Sequence, residues 1–508
     1  MRKFLSLSPI SLTLALWAFF IPIWNVGASI AMGLLFIATI TNAIKTKNYP
    51  SLTQSKYFIL LLLSILVSTA FHFDSAVLNE LKTILPFCIA PILFSNQNQL
   101  QTKEKKFVWF ALISGVVISL IASIAYGLIH FPLADPRKAS FLISHIRLSL
   151  LASVLFFYTL SDKQFNRLIP FVLLTLSLFF LYITATISGL IFFLIGSITY
   201  LILLKKFRFL FILFIPPIVV LIYLFPFYYQ PSPKSTCFNN ETLRGEPYVI
   251  NNSPFYTENG FLTYSCLSEK ELIESWNQRT GINIEGFDER NQPIKQTIIR
   301  YLTSKGLSKD AEGVFALNDQ DIQNIKSGYT NCLEINWNAI EKRAYQIHFE
   351  YTNFKNGGKS VGHSIFQRFY MIDITKNILL QHPAGGVGVS NSRKLFEQGY
   401  AQLEITDDNM PKQPHNQFLT LWLNSGVLSL IFFLMLLIRV FQQLKDNVHV
   451  IGASCFLIIF TTSCFTEDTL NTQPGVGIST LFIILFFFLQ STEQKASNAL
   501  KHSQSPKL

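Results

Sequence analysis

Apolar residues run in long blocks along most of the chain, separated by short polar stretches. A membrane helix needs about 20 mostly apolar residues. The pattern predicts such spans near 5–24, 27–44, 57–72, 77–95, 107–129, 141–160, 168–184, 186–204, 208–226, 416–438, 448–464 and 474–490. The predicted fold class is therefore an α-helical polytopic membrane protein with about 12 transmembrane helices. Residues 227–413 break the rhythm: charges interleave with apolar positions at soluble-helix spacing in Glu269–Arg279, Gln296–Lys305 and Asp319–Lys326. An insertion of 187 residues between spans nine and ten is too long for a connector and reads as a domain. After Ser364 it turns more apolar and is expected to lie along the membrane surface. The organisation that follows is spans one to nine in 1–226, an outer domain in 227–413, spans ten to twelve in 414–490 and a polar tail in 491–508.

Composition narrows the class. Of 508 residues, 50% are hydrophobic and 14% charged, with a mean hydropathy of +0.37. That excludes a soluble globular enzyme, a disordered chain and a disulfide-framework protein. The net charge of +11 would suit a nucleic-acid partner, but its distribution argues otherwise. The outer domain holds 19 Lys+Arg and 21 Asp+Glu, which leaves 22 basic and 9 acidic residues for the apolar part. With the N-terminus inside, 18 of those 22 basic residues fall on one side of the membrane and only Lys82, Arg137, Lys138 and Arg147 on the other. The positive-inside rule then puts both termini in the cytoplasm and 227–413 outside. Arg2 and Lys3 ahead of an apolar run look like a signal peptide. No clear small-residue cleavage site follows, so this run is expected to stay as the first helix. Among the six cysteines, Cys237, Cys266 and Cys332 lie in the outer domain, enough for one disulfide with one thiol left over, and their spacing fits no zinc site.

The chemistry concentrates between Arg368 and Gly426. Arg368 opens an amphipathic helix ending near Leu380; Pro383, Gly385, Gly386 and Gly388 make a tight turn; and His415, after Pro414, sits at the outer mouth of span ten. A glycine cluster could suggest a dinucleotide loop, but no strand-turn-helix context or ribose-binding acid accompanies it. A neutral histidine at the interface suits a general base, and an arginine just above the bilayer suits a phosphate, which its fork binds through two oxygens.

Together these features resemble the O-antigen ligase and polymerase superfamily of membrane glycosyltransferases. The resemblance rests on an Arg, a helix, a P-x-x-GVG turn and an HN-x-x-L segment with a later glycine that opens a membrane helix: here Arg368, Pro383, Gly386, Val387, Gly388, His415, Asn416, Leu419 and Gly426. The segments 301–325 and 465–476 look similar to stretches in ligase-like relatives from Bacteroidetes. The resemblance implies transfer of a preassembled glycan from an undecaprenyl-diphosphate carrier to an acceptor hydroxyl, most readily the lipid A-core of lipopolysaccharide. It further implies a periplasmic site in the bacterial inner membrane, inversion at the anomeric centre, and no metal or cofactor. His415 would orient or deprotonate the acceptor, and Arg368 would bind the diphosphate. Gly386, Gly388 and Asn416 come with the motif and are expected among the substrate-binding residues. A polymerase or a protein O-oligosaccharyltransferase would share this chemistry. A flippase or exporter would instead predict charges through many central helices.

One departure matters. Many relatives carry a second essential arginine in an earlier S-R-S-G-like segment, and the similar stretch 184–190 has Ile187 there. Another cation must help hold the diphosphate. Arg147 is the first candidate, because an intramembrane arginine suggests function, and Lys82 the second, although it could pair with Glu80. Glu467 and Asp468, in the last outer turn, could orient His415 or contact sugar hydroxyls. His145 reads as a polar helix contact and His382 as a turn residue.

Overall fold

The computed structural model describes residues 7–72, 75–95, 100–130, 136–213, 222, 234–237, 239–250, 256–355, 366–405, 410–447 and 449–489. The chain forms two compact units, one of 1–214 with 370–508 and the other of 215–369.

The first unit begins with α1 (Pro9–Phe20), α2 (Asn25–Thr46), α3 (Leu52–Phe71), α4 (Ser75–Phe94), α5 (Thr102–Ile129), α6 (His145–Ser161), α7 (Leu168–Thr184) and α8 (Ile187–Leu203). The starts follow local chemistry: Ser8 caps α1 with Pro9 as its first residue, and Glu104 closes a capping box at the start of α5.

The second unit holds a hairpin of β1 (Thr257–Glu258) and β2 (Phe261–Leu262), then α9 (Glu269–Thr280), α10 (Ile294–Ser304), α11 (Ala311–Ala316), α12 (Asp319–Lys326) and α13 (Ala339–Lys355). The expected soluble helices appear with end shifts of at most two residues. Their apolar stripes close a core around Trp276, Ile298, Leu302, Val314 and Ile325. Of the three outer cysteines, Cys237 and Cys266 form a disulfide, with Cα atoms 5.7 Å apart, and Cys332 remains a thiol. Glu258 is fully buried, bound by Arg300 at 2.5 Å and by Asn331 at 3.2 Å, and Arg300 in turn stacks over Phe349. Burial pushes the Glu258 carboxyl up, and Arg300 opposes that rise.

The chain returns to the first unit through α14 (Gln367–Gln381), inside which the unit boundary falls, and α15 (Val389–Gln402). The sequence attaches 370–413 to the outer domain, whereas these residues cluster with the helical bundle. Last come α16 (Gln417–Ser425), α17 (Val427–Gln442), α18 (Val450–Thr466) and α19 (Gln473–Ile483), the last running on to Phe488 as a π-helical turn. The expected tenth span, 416–438, is thus two helices. Gly426, at φ 84°, breaks it, and the membrane-length piece is the one that Gly426 opens.

This is a helical membrane protein. Among the described residues, α2, α3, α5 and the segment from Val427 to Lys445 are long and apolar enough to cross a bilayer. Six further apolar helices are shorter, such as α6, α7 and α8 at 17 residues each. The expected ninth span, 208–226, lies largely outside the described residues. The bundle core is aromatic: Trp17, Phe87, Trp109, Phe157 and Phe192 are almost wholly buried, and Trp109 lies 4.0 Å from Tyr158 between ring centroids.

Candidate functional site

The turn after α14 docks on the break between α16 and α17. Val387 and Gly388 donate backbone hydrogen bonds to the carbonyls of Leu423 and Asn424, at 2.8 and 3.2 Å, and Val427 donates to Ala384 at 3.0 Å. The Trp422 indole N–H donates to the Pro383 carbonyl at 2.7 Å. This pairing needs two glycines. A Cβ on Gly386 would sit 2.5 Å from the Gly426 nitrogen, and one on Gly426 would sit 2.7 Å from the Ala384 oxygen. Both have positive φ, as has Gly388, whose Cβ would meet the His72 side chain at 2.6 Å. Sequence reasoning placed Gly386 and Gly388 among the substrate-binding residues. The geometry gives both a packing reason, the close approach of backbones.

α16, fastened at its far end by this junction, starts at the histidine. Asn416 caps it, its side-chain oxygen accepting from the amides of Phe418 and Leu419 at 3.1 Å. The Asn416 amide group donates to the Phe465 carbonyl at 3.2 Å, which ties the cap to the end of α18. His415 itself has a φ of 48°, an uncommon value for a side-chain-bearing residue. Its Nδ1 lies 3.6 Å from a Glu467 carboxylate oxygen and 3.9 Å from one of Asp468. Nε2 makes no hydrogen bond among the described residues, and about a third of the side chain is exposed, against 12% for Glu467. Burial pushes the Asp468 carboxyl up, while a hydrogen bond from Thr420 and the neighbouring His415 pull the other way. Two carboxylates behind one imidazole nitrogen orient the ring, leaving the other nitrogen for a reacting hydroxyl.

Arg147 supports the same acidic turn from α6. Its guanidinium donates to Ser463 and Thr469 hydroxyls at 3.2 Å and to the Asp468 carbonyl at 3.4 Å. The residue is 4% exposed, so most of its donor surface faces protein. Ile187, where an arginine was looked for, is the first residue of α8. The same helix approaches α6 at Gly189, where a Cβ would lie 2.7 Å from the Ser149 hydroxyl. His145 opens α6 and is half-buried.

Glu80 and Lys82 line different cavities of the bundle, so the pairing considered from sequence is absent. Residues two apart on a helix point to different faces. Glu80 accepts hydrogen bonds from Asn424 at 2.9 Å and Asn471 at 3.5 Å. It lines a small cavity with Ser68, His72 and Gly388. Lys82 is exposed in a larger cavity, of about 240 Å³, among α1, α2, α4 and α19. Sequence reasoning missed Glu80, Asn424 and Asn471 as a set. Their only signal was an acid and an amide inside apolar stretches, Glu80 and Asn424, with Asn471 in the polar turn before the last span.

Arg368 belongs to the second unit, as the second residue of α14. His382 is exposed just after that helix. Among the described residues no group of three or more His, Cys, Asp or Glu is placed to hold a metal ion.

The O-antigen ligase family profile matches residues 171–434. This stretch includes Arg368, the Pro383–Gly388 turn, His415 and Gly426, and ends before Glu467 and Asp468. Comparison with curated proteins gives no match.

Proposed function

The chain belongs to the O-antigen ligase family of glycosyltransferase-like membrane enzymes, and on that premise we propose that it moves a preassembled glycan from undecaprenyl diphosphate to the lipid A-core of lipopolysaccharide. The observation that carries this reading is the His415 imidazole, backed by Glu467 and Asp468, at the head of a helix in the matched segment.

In the reaction, an acceptor hydroxyl attacks the anomeric carbon and the bond from that carbon to the diphosphate oxygen breaks. His415 receives the hydroxyl proton, and Glu467 and Asp468 stabilise the imidazolium that results. Arg368 binds the diphosphate and stabilises the negative charge that grows on the leaving oxygen. Attack opposite the leaving group inverts the anomeric centre. Protein cations do the electrostatic work, so the reaction is metal-independent. Arg147 holds the acidic turn in place. The excess of Lys and Arg in loops on one side of the spans supports an inner-membrane protein with cytoplasmic termini and a periplasmic site.

The test is transfer in vitro by the purified chain from a lipid-diphosphate glycan, with core lipid, a second lipid-linked glycan and a protein offered separately. Product on core lipid alone supports a ligase. Product on lipid-linked glycan identifies a polymerase, and product on protein an O-oligosaccharyltransferase. No product with any acceptor, alongside movement of the donor across a vesicle membrane, would make it a transporter.

A further inference from the structure

We propose that the cavity among α1, α2, α4 and α19 seats the diphosphate end of the lipid carrier, with Lys82 as the cation that the first unit supplies. The inference rests on the donor reading above and adds where that donor docks.

The cavity has the two-part chemistry of an amphiphile's site. Its polar lining residues, Ser29, Lys82 and Gln473 among them, are exposed at the mouth, while Trp17 and Val476 are buried and Met32 half-buried. Gln473 is fixed there by its side-chain amide, which donates to the Asn25 carbonyl at 3.0 Å and to the Ser29 hydroxyl. A volume of about 240 Å³ is many times what one water needs. Lys82 makes no hydrogen bond or ion pair among the described residues, because Glu80 faces the other way and is bound by Asn424 and Asn471. An ammonium with no partner among the described residues, over an apolar floor, calls for an anionic head on an apolar chain.

Position selects the carrier over bulk phospholipid. Asn25 begins α2 and Gln473 begins α19, directly after the turn that holds Glu467 and Asp468. Gln473 lies five positions after Asp468, so its Cα is at most about 18 Å from that of the acid beside His415. Arg147, the other candidate cation, is buried against protein acceptors.

The experiment uses the full chain in detergent. Binding of glycan-free undecaprenyl diphosphate is titrated, with phosphatidylglycerol as competitor, and a photoreactive residue at position 32 reports where the chain lies. We expect Lys82→Ala to weaken binding about tenfold, as loss of one charged hydrogen bond does. Lys82→Arg should keep it, and Ala28→Trp, which fills the cavity beside Lys82, should abolish cross-linking. Wild-type binding that Lys82→Ala and Ala28→Trp both leave unchanged overturns the location while the donor reading stands. Equal competition by phosphatidylglycerol makes the cavity a general lipid groove and also overturns it. No binding of undecaprenyl diphosphate by the wild type overturns both readings.

Discussion

Nδ1 of His415 lies 3.6 Å from Glu467, a residue 52 positions later, across the gap between the start of α16 and the end of α18. The cap from Asn416 to Phe465 closes that gap with a hydrogen bond of 3.2 Å, so imidazole and carboxylate are held by the same contact. His415→Ala should lower transfer by about 10²–10⁴-fold, the range of a general base, while the protein still inserts and accumulates. Glu467→Gln should keep KM and lower kcat, because the ring loses its electrostatic partner. Near-normal transfer by His415→Ala, or by Arg368→Ala, would remove that residue from the site.

Arg147 makes three hydrogen bonds to one small region, Ser463, Thr469 and the Asp468 carbonyl. Removing the guanidinium strips three hydrogen bonds from a buried site and loosens the acidic turn, although Ser463 and Thr469 still bond each other at 2.7 Å and Asn471 still donates to the Asp468 carbonyl. Arg147→Ala should reduce transfer about tenfold or more, with Arg147→Lys recovering part of it. Transfer rates in membranes with matched protein levels decide this. An unchanged rate for Arg147→Ala means the turn stands without it.

Neighbouring glycines give a sharp contrast. A Cβ on Gly386 collides with the Gly426 backbone at 2.5 Å, whereas one on Gly385 meets nothing within 4 Å. Gly386→Ala should lower the unfolding temperature in detergent and abolish transfer, since positive φ alone costs roughly 1–2 kcal/mol before the collision. Gly385→Ala should behave like the wild type. Equal effects from the two would refute the docking of the turn on the helix break.

The second unit carries a pH signature. Lys309 is fully buried, and burial pulls its ammonium down from the ordinary 10.5 to about 8. Below about pH 8 the folded and unfolded chains both hold the proton, and the burial penalty is fully present. Between about 8 and 10.5 only the unfolded chain still holds it, so the folded state gains stability as pH rises. Calorimetry of wild type and Lys309→Met should therefore show the wild type gaining on the variant from pH 8 to 10.5. A flat difference would mean that Lys309 stays charged when folded.

Local chemistry made much of this protein legible from its sequence. Apolar blocks gave the helices, charge interleaving gave α9, α10 and α12, and three outer cysteines limited the second unit to one disulfide. A proline with nearby glycines marked the turn before α15. Each depends on neighbours within a few positions, where backbone preference and periodicity act directly. The partners of the functional side chains were not legible in this way. Arg147 meets Ser463 from 316 positions away, and Glu80 meets Asn424 from 344. Span ten looked continuous because hydropathy does not register the φ of Gly426, and Lys82 looked paired because sequence proximity hides the 100° turn per helical residue. The sequence by itself determined a helical membrane protein and the residue types available for its chemistry. The tertiary structure decided which of them meet, because helix packing sets distances between residues far apart in the chain and no local rule encodes those.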